Sequence, residues 1–491
     1  MLRKKFIYLS KFAALAALTI NTTQALPIDW HGVFGVDTTL IDNYRKIKNT
    51  TDNKPIASNI GSQEIGLGSG NEKASFQSYI FRLNPHIIVN DTASFKAELT
   101  SGYGRGGRLG DDSTTDNTND NFGNALYIQN KSSSSKSIVI NQAYMELYSD
   151  TATYIIGRHS SDWGLGAVYN SGKDTWDRHA FSRDGVTAKI KIGNFLIEPY
   201  WAKIDSTGSL SRNTKSSEIG AGLLYDNVDR DIAFGLLYSK KNNKQDNPTT
   251  DTNTTGASSA YALGETDVKV TDIYFKKIFG NFKLEVEVPI ISGELGKVYN
   301  TDSTKVNSKS FIFETEYKVS DSWTIAFDFG SISGHSGSRT SYEAMFLNPN
   351  YQVANLLFRY NLQAIGNTNH NIYDSYMTNA TYAKIAGEYK SDKWSWVAAM
   401  IWAKANETAK LGESSYNHTN NKVFTANDTQ ESDLGMEIDL NFDYHWNSAV
   451  KVGGSLGYLF AGDYFSFTND PSNKNTADNS FALQLNSSIE F

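Results

Sequence analysis

"GRHSSDWG", residues 157–164, invites a chemical reading because it sets His159, two serines (160 and 161) and Asp162 side by side. A base, a nucleophile and an orienting carboxylate are the parts of acyl transfer. In extended chain, however, neighbours point to opposite faces, so adjacency does not assemble a triad. A second candidate, "GYGRGGRLG", spaces Gly102, Gly104 and Gly107 like a dinucleotide fingerprint. That fingerprint needs a helix next, and the acidic, Thr-rich run at 111–121 follows instead, as in a flexible loop root. The same run lacks the fixed Gly and Glu of a calcium-binding EF-hand. None of the eight histidines falls in a metalloprotease motif, and without cysteine there is no thiolate nucleophile or ligand. No enzyme activity, metal or cofactor is expected.

What remains is charge. Residues 157–185 mix Arg158, His159, Lys173, Arg178, His179 and Arg183 with Asp162, Asp174, Asp177 and Asp184. The connections on either side are bland Asn/Ser/Thr sequence, so this stretch differs in kind. Its function depends on what positions it.

The surrounding elements are strands. From 433 to 446 the even positions are Leu434, Met436, Ile438, Leu440, Phe442, Tyr444 and Trp446, while Glu437, Asp439, Asp443 and His445 take odd ones. A period of two means an extended strand with one apolar and one polar face. The pattern recurs: Val186, Ala188, Ile190 and Ile192 oppose Lys189 and Lys191, and Leu284, Val286 and Val288 oppose Glu285 and Glu287. Strands of about ten residues, tilted about 40–45°, cover the roughly 25 Å apolar band of an outer membrane. On this reading Lys189, Lys191, Glu285, Glu287, Glu437, Asp439 and Asp443 face water inside a barrel.

Loop lengths separate this from a soluble sandwich. Eighteen segments, from 30–40 to 480–491, are joined alternately by tight turns and long polar connections. The tight turns centre on 90–92, 149–151, 193–194, 226–230, 280–281, 320–322, 391–393 and 447–448. Short turns at one end and long loops at the other are the plan of an up-and-down transmembrane barrel. Residues 348–362 look strand-like, but counting them would make an odd total, so 331–379 is read as one long loop folding on or into the barrel.

Residues 1–25 read as a secretory leader. Arg3, Lys4, Lys5 and Lys11 edge a short apolar core, and Thr23 and Ala25 supply the small residues of a cleavage site. Residues 26–491 would then form the barrel. Their 42 basic against 53 acidic residues, net −11, argue against nucleic acid as a partner. Aromatics make up 13% of the chain. Trp30, Trp394, Trp396, Trp402 and Trp446, near strand ends, are candidates for interfacial girdles.

The alternating last strand, ending on Phe491, resembles that of bacterial outer-membrane porins. The resemblance implies an all-β, transmembrane antiparallel barrel of 16–18 strands, and its C-terminal aromatic would be read by the barrel-assembly machinery. It also implies outer-membrane lipid and lipopolysaccharide as surroundings, ions and small polar solutes as cargo, and a monomer or homotrimer. Diffusion porins fold their third loop inward. By position, Arg158, His159, Asp162, Asp174, Asp177, Arg178, Arg183 and Asp184 are then expected at a channel constriction. The alternative is an external loop knitted by surface salt bridges. For the whole chain the readings are passive diffusion, a solute-selective channel (for sugars, say), or a plugged barrel acting as an adhesin or structural surface protein.

Topology offers the first test. Epitope tags at Thr118, Asn253 or Asn473 should label on intact cells and tags at Asn194 or Asn447 should not, because only the long-loop end faces outward. Surface labelling at Asn194 would reverse the orientation.

Overall fold

A computed structural model describes residues 27–48, 73–101, 105–109, 138–204, 216–243, 248–250, 260–262, 265–299, 303–361, 372–419, 421–472 and 474–491. Residues 1–25, expected as a leader, the acidic run at 111–121, Gly102 and Gly104 lie outside them. Gly107 sits in a three-residue strand, Gly106–Arg108, paired to the wall.

Eighteen strands form the wall: β1 (Ile28–Asp42), β2 (Lys73–Asn90), β3 (Ala93–Ser101), β4 (Ile138–Tyr148), β5 (Ala152–Ser160), β6 (Ser182–Ile192), β7 (Phe195–Lys203), β8 (Ser216–Asn227) and β9 (Ile232–Asn243). The second half comprises β10 (Thr266–Phe279), β11 (Phe282–Glu294), β12 (Lys305–Lys318), β13 (Trp323–Ile332), β14 (Ala380–Lys390), β15 (Trp394–Ala405), β16 (Asp433–His445), β17 (Val450–Ala461) and β18 (Ser480–Glu490). Each pairs antiparallel with the next. The sheet closes where β18 returns to β1, with Val33 opposite Glu490 and Asp42 opposite Phe481. Phe491 extends that seam: its carbonyl accepts from Gly32 N–H at 2.7 Å and its N–H donates back at 3.0 Å. The described residues 348–361 are not a wall strand, and β13 pairs directly with β14, so 333–379 joins neighbouring strands.

The outer surface is apolar over the strand bodies, through Phe34, Met145, Leu223, Leu236, Ile325, Ile385, Leu440, Leu456 and Leu485 among others. The five expected girdle tryptophans are all exposed. At the short-turn end Trp394 stacks on Trp396 and tilts against Tyr444, with centroids 5.7 and 4.7 Å apart. Amphipathic rings of this kind suit the membrane–water interface.

Strict alternation fails at one expected outward residue, Leu434, which is buried inside the barrel instead. The cause is a bulge: the register with β15 shifts between Ala403 and Lys404, next to Gly435 at φ +102°. Only glycine adopts that conformation readily, and the extra residue moves the strand end to the other face.

The inside is not simply wet. Ile312, Tyr382, Ile401 and Leu459 point inward and are fully buried against Met345, Leu347, Leu356, Leu357 and Met377 of the 333–379 connection. That connection carries its own apolar core into the lumen.

Neighbours on β17 test the two faces. Leu456→Arg puts a charge toward lipid near mid-strand and should cost roughly 2–4 kcal/mol. Ser455→Arg points into a lumenal cavity and should leave folding unchanged. Heat-modifiable gel mobility and urea unfolding in lipid would show the difference; equal defects would mean the faces are wrongly assigned.

Candidate functional site

The inward positions of β1 to β3 carry the groups around which the lumen is organised. On β1 every second residue turns inward, which buries Asp37 and Thr39. Opposite them, β2 presents Ser78 and Arg82, and β3 presents Glu98, all at most 5% exposed.

The connection 161–181 leaves β5, crosses the lumen and docks on this wall. Arg82 donates from Nη1 to Gly172 O at 2.7 Å and from Nη2 to Asp174 O at 2.8 Å. Arg105 is held by Glu98 through two hydrogen bonds of 2.8 and 3.0 Å and donates to Gly172 O at 2.6 Å and Ser171 O at 3.1 Å. Both guanidinium groups thus grip main-chain carbonyls. Arg178 supplies the reverse contact from loop to wall: it donates to Asp37 Oδ2 at 2.7 Å, Ser78 Oγ at 2.8 Å and Tyr79 O at 2.9 Å. At its near end, Leu165 N–H donates to the Glu287 carboxylate of β11.

The connection 333–379 enters from the other side. Three successive N–H groups bind wall carboxylates: Asn355 to Asp439 at 3.0 Å, Leu356 to Glu437 at 2.6 Å and Leu357 to Glu437 at 2.8 Å. The two connections meet at Asp37. Tyr373 donates to Asp37 Oδ1 at 2.8 Å, accepts from Gln484 Nε2 at 3.2 Å, and lies 4.2 Å beneath the Arg178 guanidinium.

The expected constriction residues divide. Arg178, His179, Asp174 and Asp177 border one cavity, and His159 and Asp162 border another on the short-turn side of 161–181. Arg183 is buried inward, with its guanidinium 3.8 Å from the Tyr200 ring and Nε 3.5 Å from Glu218. Arg158 and Asp184 do not belong to the set. β5 runs to Ser160 and β6 starts at Ser182, so both residues are strand residues rather than loop residues. Alternation turns them outward, where they pair at 2.6 Å, each about half exposed. The 159–162 group is not a triad either: His159 Nδ1 faces Gly157 O and its Nε2 faces Thr187 Oγ1, while Asp162 pairs with Lys173.

Among the expected lumen residues, Lys189 and Lys191 are solvent-accessible and Asp443 borders a cavity. Glu287, Glu437 and Asp439 point inward but do not meet water, because the two connections seal over them. Glu285 is mostly buried too, accepting from Tyr274 Oη at 2.6 Å.

The remaining aqueous space is partitioned. An inner cavity of about 300 Å³ lies between 161–181, 349–359 and the wall of β1, β16, β17 and β18. An outer cavity of about 320 Å³, toward the long loops, is bordered by Lys46, Phe358, Tyr360, Asp374 and Phe465. Residues 357–361 and 373–376 form the strap between them, since Arg359 and Tyr373 border the inner cavity and Tyr360 and Asp374 the outer one.

No protein-family model and no curated protein matches this chain. Solved structures do resemble it. OccK9 (OpdG) of Pseudomonas aeruginosa is 10% identical, with a TM-score of 0.50, covering 94% of this chain and 99% of its own. OccK2 (OpdF) of the same organism, solved with glucuronate, is 8% identical, with a TM-score of 0.48 over 94% and 98%. Outer-membrane expressed OmpT of Vibrio cholerae is 10% identical, with a TM-score of 0.37 over 96% and 99%. The first of these likenesses speaks to the fold alone: a porin-like β-barrel of the outer-membrane type.

Asp37 is where the junction should fail. Asp37→Ala leaves Arg178 buried without its counter-charge, a loss of about 3–5 kcal/mol for such pairs. The barrel should still assemble, but 161–181 should lose its docking. Limited proteolysis should then cut within 173–177 much faster than in the parent; unchanged protection would show that Arg82 and Arg105 suffice.

Proposed function

We propose that this outer-membrane barrel is a channel for passive diffusion of ions and small polar solutes, narrowed by its two inward connections. The observation that carries this reading is the inner cavity, which is held in the lumen of a lipid-facing barrel and bordered by Asp37, Asp174, Asp177, Arg178, Arg359 and Asp443. Charges in a narrow passage with low-dielectric walls act strongly on a permeating solute, because little water screens them. The degree of narrowing favours a selective pore over a wide one. We assign the chain no catalytic role.

The constriction is proposed to consist of Asp174, Asp177, Arg178 and Arg359, with Asp443 on the wall. Arg183 and Asp162 hold the loop, and His159 is tied to the wall through Thr187. Arg178 is neutralised locally by Asp37, so the acidic groups should set ion preference.

Planar-bilayer recording tests this directly. The purified protein should give steady conductance with cation preference at pH 7. Burial raises the Asp177 carboxyl to about 6, with the Asp174 carboxylate adding to the rise and a hydrogen bond from the Asp174 N–H opposing it. Asp177 is therefore neutral below that pH and anionic above it. Cation preference, read from reversal potentials in a salt gradient, should increase from pH 5 to pH 7, and Asp177→Asn should flatten the change. The effect should fade at 1 M salt, where the Debye length is about 3 Å. A pH-independent reversal potential in the parent would remove Asp177 from the passage, and absence of conductance would sink the channel reading.

A further inference from the structure

Diffusion alone leaves the composition of the inner cavity unexplained. Four aspartates (37, 174, 177 and 443) face two arginines (178 and 359) there, net −2. Asp37 and Arg178 cancel within their own ion pair, which leaves three carboxylates against Arg359. The Asp443 carboxylate, unlike the main chain of that residue, has no hydrogen-bond partner among the described residues. Gln352 Oε1, also at this cavity, is buried and unpartnered. The unsatisfied groups are thus acceptors, waiting for a solute that brings donors.

An aromatic ring completes the arrangement. Trp176 stands between Asp174 and Asp177 in the chain and borders the same cavity. Its indole lies against β1 at Gly35, where a Cβ would come within 2.8 Å of a ring carbon. The absent side chain at Gly35 therefore lets the indole lie close to the wall. An indole face attracts ammonium groups through its quadrupole, and adjacent carboxylates reinforce that attraction. An anion would meet a net repulsion, and a neutral polyol would gain nothing from the charge.

We propose that the inner cavity is a binding site for small organic cations, with an ammonium group over Trp176 and hydrogen bonds to Asp177 and Asp443. This rests on the channel reading and assigns its solute class. A cavity of about 300 Å³ is at the lower end for ligand sites, which suits a compact amine. Arg359 remains as a positive group that would favour the exit of such a cation over its indefinite retention.

The full-length protein in planar bilayers at 0.1 M KCl provides the test, with choline and 1,4-diaminobutane as probes and 1,4-butanediol as the neutral comparator. Both amines should interrupt the potassium current in a concentration-dependent way, and the diol at equal concentration should not. Trp176→Leu and Asp443→Asn should each weaken the amine block by about tenfold, measured on channels that still conduct and are therefore folded. Equal block by diol and diamine would overturn the assignment, as would amine block indifferent to both substitutions. A conducting pore blind to both amines sinks the solute class and leaves the channel standing. A preparation with no conductance at all sinks both.

Discussion

A sheet in hydrocarbon has no water to satisfy its main chain, so it survives only if the last strand returns to the first. That closure, β18 on β1, governs the rest of this molecule. Closing eighteen strands makes a ring too wide for wall side chains to fill. The chain resolves this with its own connections, because 161–181 and 333–379 fold inward and bring main chain to the depth of the wall. Irregular backbone is tolerated there only when buried in protein or bordering water, and both conditions are met.

The two connections are secured by different chemistry. The longer one is held mainly by hydrophobic packing, with Met345, Leu347, Leu356 and Leu357 against inward apolar residues of the wall. Its successive N–H groups then find Glu437 and Asp439. The shorter one packs Trp163, Tyr169 and Phe181 against Leu237 and Val270 of the wall near its ends, while guanidinium groups hold its middle. They converge at Asp37, which binds Arg178 from one and Tyr373 from the other. That shared carboxylate is thus a direct contact point of both connections.

The wall was legible from period-two alternation, and the eighteen strands and their tight turns follow from it because lipid imposes the pattern residue by residue. The lumen was less legible. Placing 157–185 in a loop overlooked that Arg158 and Asp184 continue the strands, so that their alternation sends them outward. Glu287, Glu437 and Asp439 looked like wetted residues because a strand shows which face a side chain is on but not what covers it. A usable signal was present: Ile312, Ile401 and Leu459 are apolar at inward positions, and a wall apolar on both faces implies something packed inside. Asp37 and Arg82 could have been noticed as single charges at inward positions of β1 and β2. Their partners, 92 residues away for Arg82 with Asp174 and 141 for Asp37 with Arg178, could not.

Arg82 and Arg105 take hold of carbonyl oxygens at 171–174, not of side chains. Such a grip reads main chain, although Gly172 itself is fixed, since a Cβ there would strike His179 O and the Arg105 guanidinium. A substitution at Asp174, gripped through its carbonyl by Arg82, can change what the passage displays without loosening how it is framed. The barrel thus separates two heritable traits, the shape of its aperture and the chemistry exposed there, and a lineage can retune one while inheriting the other intact.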